Sequence, residues 1–473
     1  MIALSLAEVA AAVDGKLVGA DPEAVVHGPV VADSRTVTPG ALFVAIAGAR
    51  ADGHEHAGEA FASGAVACLG ARPVGMPTVV VDDPVVALGR LAAVVVPRLE
   101  HCTVMAVTGS QGKTGTKDLL AHVLATSGAT VATEGNYNNE IGVPLTVLRA
   151  GTDTEFLVVE MGARGRGHIR FLSELARPTI GCVLNVGTAH IGEFGTREAI
   201  AEAKGELVEA LPATGTAVLN ADDAVVSAMA GRTSARVLTF GQSEEADLRV
   251  VDLHTEPDGC AAFRLVHRPS AEQVPVRLRL LGEHQALNAA AAAAMALAAG
   301  LRLEAVATAL ATAAAGSRWR MQPTERSDGV LVVNDAYNAN PDSMQAALKT
   351  LVSLSRARGG RSIAVLGEMA ELGEESTQAH DAVGRLAVRL DVDQLIVVGD
   401  AARTLHLGAC LEGSWNSESV LVPDADAAVT TLRELLRPGD TVLVKASRAA
   451  ELERVADALV ADVPAAGGRA EQR

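Results

Sequence analysis

The sequence predicts an α/β protein of three domains: a small N-terminal α/β domain (1–101), a central P-loop-type α/β domain with a mostly parallel sheet (102–316), and a C-terminal Rossmann-like α/β domain (317–473). Three observations lead there. A chain of 473 residues exceeds what one hydrophobic core organises. Hydrophobic residues make up 49% but aromatics only 2%, so the cores must be built from Ala, Val and Leu, which suits parallel strands covered by helices. The third observation is local: the apolar run 103–107 passes directly into Thr108-Gly109-Ser110-Gln111-Gly112-Lys113-Thr114, a strand ending in a glycine-rich turn.

Residues 1–101 alternate short apolar strands, at 40–46 and 78–81, with a helical pattern at 84–96. Polar turns at Asp33-Ser34-Arg35 and Asp52-Gly53-His54 stand beside them. From 102 onward, strands at 103–107, 155–160, 179–185 and 216–220 alternate with helices at 114–127, 167–176 and 196–210, in βαβ fashion. An antiparallel piece follows at 248–253, 262–267 and 276–281, and helices at 284–299 and 303–314 close the segment. The third segment reads strand 329–334, helix 342–354, strand 361–366, helix 376–390, strands 394–398 and 441–445, and helix 449–461. Asp342 or Ser343 is expected to cap the helix after the first of these strands. The tail 464–473 reads as disordered.

A net charge of −17, with no basic stripe, excludes a nucleic-acid partner but not anionic small ligands. The cysteines (Cys68, Cys102, Cys182, Cys260 and Cys410) are widely spaced and form no metal or disulfide pattern, as expected of a reducing compartment. The N-terminus lacks the basic flank of a signal peptide. The longest uncharged run, 285–301, is mostly alanine and too weakly apolar for a membrane span. A cytoplasmic protein without membrane insertion is therefore expected; a monomer is the separate expectation for its assembly.

The glycine-rich turn would present backbone N–H groups and a helix N-terminus to phosphates, with Lys113 reaching the β/γ-phosphates and Thr114 offering its hydroxyl to Mg²⁺. An ordinary phosphate loop has its first glycine where Val107 stands, so this loop is short and unlike those of GTPases and transport ATPases. Glu160, at the carboxyl end of strand 155–160, is placed to hold the nucleotide's metal. His190 follows the next strand; a lone histidine is more often structural, and Mg²⁺ prefers oxygen. Lys204 on helix 196–210 reads as a solvated lysine. The loop 137–144, with Asn139, presents amides either to a ligand or to a capped turn. Asp335, Tyr337, Asn338 and Asn340 follow strand 329–334, and Lys445, Ser447 and Arg448 follow strand 441–445. Both sets form a ligand rim, and the second suits a carboxylate or phosphate.

In this order the motifs resemble those of the Mur ligases, over nearly the whole chain. The short loop 108–114 is similar to the family's own phosphate motif. Further resemblances are Asp33-Ser34-Arg35, Phe43 and His54 in the N-terminal domain, the 137–144 loop, Glu160-Met161-Gly162, Ala189-His190, Ala203-Lys204-Gly205-Glu206, and 281–288 with His284 and Asn288. The stretches 335–344 and 366–380 look like the branch that adds a D-alanyl-D-alanine dipeptide. Gln111, Gly115 and Gln285 depart from the usual residues, and Gly115 costs a first helical turn about 1 kcal/mol relative to Ala.

The resemblance implies ATP and Mg²⁺ as cofactors, and UDP-MurNAc-tripeptide and D-Ala-D-Ala as substrates joined through an acyl phosphate. It implies catalytic roles for Lys113, Asn139, Glu160, His190 and Lys204. ATP would meet Gly109, Ser110, Gln111, Gly112, Lys113, Thr114, His284, Asn288, Asp335 and Arg320, with Arg318 competing for the arginine role. Ser34, Arg35, Phe43 and His54 would bind the UDP-sugar. Tyr337, Asn338, Asn340, Lys445, Ser447 and Arg448 would bind the other substrate. Metal ligands would be Thr114, Glu160, His190 and a carbamylated Lys204. Rival readings are a folylpolyglutamate synthetase-like ligase and a P-loop NTPase without ligase activity.

Overall fold

A computed structural model describes residues 1–48, 51–187, 191–414 and 417–461. Three large sheets follow one another along the chain, beside a two-stranded antiparallel pairing of Leu4–Ser5 with Val25–Val26. The first has five strands in the order Lys16–Val18, Thr78–Val80, Ala67–Gly70, Leu42–Val44, Val30–Val31, all parallel except the first pair. Helix Leu6–Val13 opens on a Ser5/Glu8 capping box, and helix Pro84–Val95 starts at a proline behind the Asp83 cap.

The second sheet has nine strands, and its order positions the site. Thr103–Thr108 lies between Phe156–Glu160 and Ile180–Val183, parallel to both, with Glu160 in register with Val107 and Val183 with Thr108. Thr130–Ala132 closes one edge. On the other side come Thr216–Asn220 and Arg236–Gly241, and then the antiparallel extension Leu248–Thr255, Cys260–His267 and Glu272–Leu281. The chain winds one way from Thr103–Thr108 to reach Phe156–Glu160 and the other way to reach Ile180–Val183. Such a switch point opens a crevice at the strands' carboxyl ends. Helix Lys113–Ala125 packs against the alanine-rich helix His284–Ala298, in which Ala289 to Ala296 with Met295 are all fully buried. Small side chains let the two helices approach closely.

The third sheet has the order Gln322–Glu325, Leu331–Asn334, Thr441–Lys445, Ser362–Leu366, Gln394–Val398, Ser419–Val422, parallel except at the first edge. Apolar cores cover both of its faces, as a doubly wound sheet requires.

The expected strands and helices are present, with shifts of a few residues. Strands Lys16–Val18, Ala67–Gly70, Thr130–Ala132, Arg236–Gly241, Gln322–Glu325 and Ser419–Val422, and helices Leu6–Val13, Ala57–Ala62, Gly142–Leu148, Arg403–Glu412 and Ala425–Leu435, are among those not anticipated. Several are too short to show a period, and Gly142–Leu148 opens Gly-Val-Pro, a poor helical composition. The last helix starts at Glu453 rather than 449, because Glu451 takes a left-handed φ of 50° after a short 3₁₀ turn. Asn340, not Asp342 or Ser343, caps helix Pro341–Arg358. The tail 464–473 lies outside the described residues. Among the described residues no helix is long and apolar enough to cross a membrane.

Helices Ser376–Arg389 and Arg403–Glu412 cross so closely that a methyl group on Gly384 would overlap the Leu405 carbonyl. Gly384→Ala should therefore destabilise the protein by about 1–3 kcal/mol or more. Gly58→Ala, with open space around it on helix Ala57–Ala62, should be neutral or slightly stabilising. Thermal unfolding of the two variants checks the contrast.

Candidate active site

The carboxyl ends of the central sheet and of the C-terminal sheet face one cavity of about 950 Å³. The phosphate loop forms its floor. Gly112 takes a φ of 80°, and a Cβ there would also lie 2.5 Å from Asn288 Oδ1, so conformation and space both demand glycine. A Cβ on Gly109 would press on Leu184 at 2.9 Å. The loop is braced from the next strand: Asn185 Oδ1 accepts from Gln111 N at 3.0 Å, Asn185 Nδ2 donates to Gln111 O at 3.2 Å, and Gly187 N donates to Ser110 Oγ at 2.9 Å. Lys113 Nζ donates to Gly109 O at 2.7 Å, curling the loop around its own lysine. Desolvation lowers the Lys113 pKa; Glu160 opposes that shift and Arg320 reinforces it.

Glu160 is buried beside this lysine. Its Oε1 accepts from Asn138 Nδ2 at 2.8 Å, while Oε2 has no partner although it is shut off from solvent. An orphaned carboxylate oxygen costs energy unless something cationic reaches it. With the Thr114 hydroxyl on the facing loop, it forms a hard, all-oxygen pair suited to Mg²⁺ completed by phosphate oxygens. Asn139 lines the cavity, but its Oδ1 caps helix Gly142–Leu148 by accepting from Gly142 N at 2.9 Å.

Lys204 overturns the solvated-lysine expectation. It is 4% exposed, lines the cavity, and has its pKa driven well below the ordinary value, by burial first and by Lys113 second. His190 lies outside the described residues. His284 lines the cavity and burial lowers its pKa. Asn288 donates to Gln285 Oε1 at 3.0 Å and supports the loop from below. Two departures meet here, since a Cβ on Gly115 would lie 3.1 Å from Asn288 Nδ2 and 3.4 Å from Gln285 Oε1.

From the C-terminal domain, Arg320 reaches the loop: Nη2 lies 3.4 Å from Thr114 Oγ1, and the guanidinium stacks 4.1 Å from the Tyr337 ring centroid. Arg318, by contrast, is exposed and does not line the cavity. Asp335 holds the Arg320 segment in place. Its Oδ1 accepts from Met321 N at 3.0 Å and its Oδ2 from Lys445 Nζ at 2.6 Å.

Several rim residues do something other than expected. Lys445 is not a free cation for substrate, because its ammonium is taken by Asp335 and by Asn338 O at 2.8 Å. Burial lowers its pKa, and Asp335 opposes that shift. Asn340 spends its side chain on the helix cap. Asn338 Oδ1 accepts from Ala339 N, and Ser447 Oγ accepts from Ala370 N at 2.8 Å. Arg448 remains at the rim, stacked on Trp319 and paired with Glu453.

The N-terminal candidates do not line this cavity. Phe43 is 1% exposed and packs in the core with Ala57, Ala60 and Cys68, so it presents no surface to a ligand. His54 Nδ1 pairs with Asp52 at 2.6 Å and Nε2 accepts from Ala71 N, which occupies both ring nitrogens. Ser34 Oγ donates to Glu59 Oε2 at 2.8 Å, and Arg35 is exposed and paired with Asp33. The sequence reading missed Asn138 and Asn185. Asn138 flanks the nominated Asn139, Asn185 braces the nominated Gln111 from across the fold, and only their hydrogen bonds reveal them.

Sheet order, phosphate loop and three-domain succession define one class: the chain belongs to the Mur ligase family. Residues 27–106 match the model described as Mur ligase family, catalytic domain; residues 107–296 match the Mur ligase middle domain; and residues 319–448 match the Mur ligase, glutamate ligase domain. Within the family, the chain is 48% identical to the UDP-N-acetylmuramoyl-tripeptide--D-alanyl-D-alanine ligase of Mycobacterium tuberculosis, covering 98% of both chains. It is 35% identical to the enzyme of that name from Escherichia coli, over 97% of this chain and 99% of that one. Among solved structures it resembles MurF from Acinetobacter baumannii (TM-score 0.86, 31% identity, 97% and 99% covered). It also resembles MurF ligase from Thermotoga maritima in complex with ADP (TM-score 0.78, 31% identity, 93% and 98% covered).

Lys204 provides a test of the site's electrostatics. The buried amine holds its proton less tightly than the same amine in the unfolded chain, so its contribution to stability rises with pH. Lys204→Met should raise the thermal midpoint near neutral pH. The gain should shrink as pH climbs towards 10.5, the ordinary lysine value. Melting curves of both proteins across that range, in bicarbonate-free buffer, make the comparison.

Proposed function

We infer that the chain is an ATP-dependent amide ligase that joins D-alanyl-D-alanine to UDP-N-acetylmuramoyl-tripeptide, giving the pentapeptide precursor of peptidoglycan. The observation that carries the chemistry is the single cavity in which the phosphate loop, the orphaned Glu160 oxygen and the C-terminal Arg320 converge. The observation that carries the substrates is the near-complete match to ligases of that name.

In this reading segment 1–101 receives the UDP-sugar, through Arg35 at its surface beside the buried Ser34. Segment 102–316 binds ATP, and segment 317–473 brings the dipeptide. The terminal carboxylate of the tripeptide attacks the γ-phosphorus, forming an acyl phosphate and releasing ADP. The free amine of the dipeptide then attacks the acyl carbon, phosphate leaves, and the amine's extra proton passes to solvent. Anions must meet anions, so cations carry most of the burden. Lys113 is held beside the phosphates by the loop that bends around it, and the arriving negative charge offsets the desolvation that depresses its pKa. Arg320 supplies a second charge from across the cavity. Thr114 and Glu160 would hold Mg²⁺, which when bound neutralises phosphate charge. The low-pKa amine of Lys204 would add to CO₂, forming an N–C bond and releasing a proton. The resulting carbamate, together with His190, would take a second cation. Enclosure between domains keeps water from the acyl phosphate. We place the enzyme in the cytoplasm, acting as a monomer.

Phosphate release from ATP with UDP-MurNAc-tripeptide, with and without D-Ala-D-Ala, tests the reading. Turnover should require the dipeptide; turnover indifferent to it, or equal turnover with single amino acids, overturns the assignment. Lys113→Ala should abolish acyl-phosphate formation. Lys445→Ala should also damage that first step, because Lys445 secures the Asp335 that holds the Arg320 segment. Loss confined to dipeptide use in Lys445→Ala would contradict the pinning role.

A further inference from the structure

The chain contains only two tryptophans, and Trp319 sits half-buried outside every hydrophobic core formed by the described residues. An indole that is not packing a core has another use. Its backbone is strained: Trp319 has φ 59° and Met321 has φ 47°, left-handed values that bulky side chains avoid. Such conformations persist where the surroundings over-determine them, and they mark functional segments. Here the fixing bonds are visible. Trp319 N donates to Gln322 Oε1 at 3.3 Å, Tyr337 N donates to Trp319 O at 3.3 Å, and Met321 N donates to Asp335 Oδ1 at 3.0 Å.

The strain has a consequence for two guanidinium groups. Arg320 lies over Tyr337 and reaches Thr114, at the nucleotide end of the cavity. Arg448 lies over the Trp319 ring, its Cζ 4.6 Å from the centroid, while Glu453 holds it from the other side. Arg448 lines the cavity and is exposed there. A mobile arginine must lose rotamer freedom to bind a carboxylate. An aromatic face beneath it meets part of that cost before the ligand arrives.

We propose that Trp319 is a positioning residue for the amine-side substrate: its indole holds the Arg448 guanidinium ready for the terminal carboxylate of the dipeptide. The proposal rests on the ligase reading above and deepens it. It separates the labour of neighbouring residues, with Arg320 serving the nucleotide and Trp319 serving the dipeptide through Arg448.

The test is steady-state kinetics with each of the three substrates varied in turn. Trp319→Ala should raise KM for D-Ala-D-Ala roughly tenfold, leaving KM for ATP and tripeptide and the thermal midpoint unchanged. The tenfold figure is the order expected for losing one preorganised guanidinium contact. Trp319→Phe, which keeps an aromatic face, should stay near wild type. In an Arg448→Ala background, Trp319→Ala should add nothing further. In a Trp415→Phe protein, adding the dipeptide should change the fluorescence of Trp319, and Arg448→Ala should abolish that response. Equal rises in all three KM values, a Phe variant as impaired as the Ala variant, or multiplicative effects in the double variant would overturn the proposal. If wild-type turnover ignores the dipeptide, the ligase reading itself fails. If it needs the dipeptide but Trp319→Ala leaves its KM unchanged, only the role of Trp319 fails.

Discussion

The site depends on the register of three parallel strands. Val107 pairs with Glu160 and Thr108 with Val183, so the phosphate loop, the carboxylate and the Asn185 brace all leave the sheet at the same level. A slip of one residue would turn Glu160 to the opposite face of its strand and leave the loop without its counter-charge. Phe156–Glu160 and Ile180–Val183 are buried throughout, so hydrophobic packing on both faces holds this register in place.

On that frame the cavity brings both signs of charge together within a protein whose net charge is −17. Lys113, Arg320 and Arg448 bring cations to it, and burial, reinforced by the like-charge neighbour Lys113, lowers the Lys204 pKa. Two acidic residues of the cavity, Asp335 and Glu160, bear directly on these cations. Asp335 ties Lys445 and the Arg320 segment together, whereas Glu160 keeps one oxygen unspent. An arrangement that leaves buried cations and an orphaned carboxylate is poor for stability and well suited to receiving a polyanion with its metal.

Two domains build the site, and the C-terminal one contributes through its backbone as much as its side chains. The left-handed residues Trp319 and Met321 flank Arg320 where the chain enters the third sheet. Ser317 Oγ donates to Asp118 Oδ2 at 2.6 Å, which ties this connection to the helix that starts at the phosphate loop. Packing of the C-terminal domain on the central one and completion of the cavity therefore go together.

Much of this was legible in the chain. The loop 108–114, the alternation of strands and helices, and the clustering of polar residues after strands 155–160, 329–334 and 441–445 are local patterns, and they determined the class of fold and the edge that carries the site. Folding decided the partnerships. Lys445 and Asn340 look like substrate ligands in sequence, yet one is consumed by Asp335 and the other by a helix cap. Phe43 carries a family-like motif but faces a core. Lys204 looks solvated on its helix, yet folding buries it and, with Lys113 nearby, lowers its pKa. Arg318 and Arg320 are indistinguishable as letters, and only the turn of the backbone between them sends one to the loop. A residue's type and spacing determine what chemistry it can offer. Which group occupies its hydrogen bonds, and how much water remains around it, depend on residues hundreds of positions away and are settled only when the sheets pack.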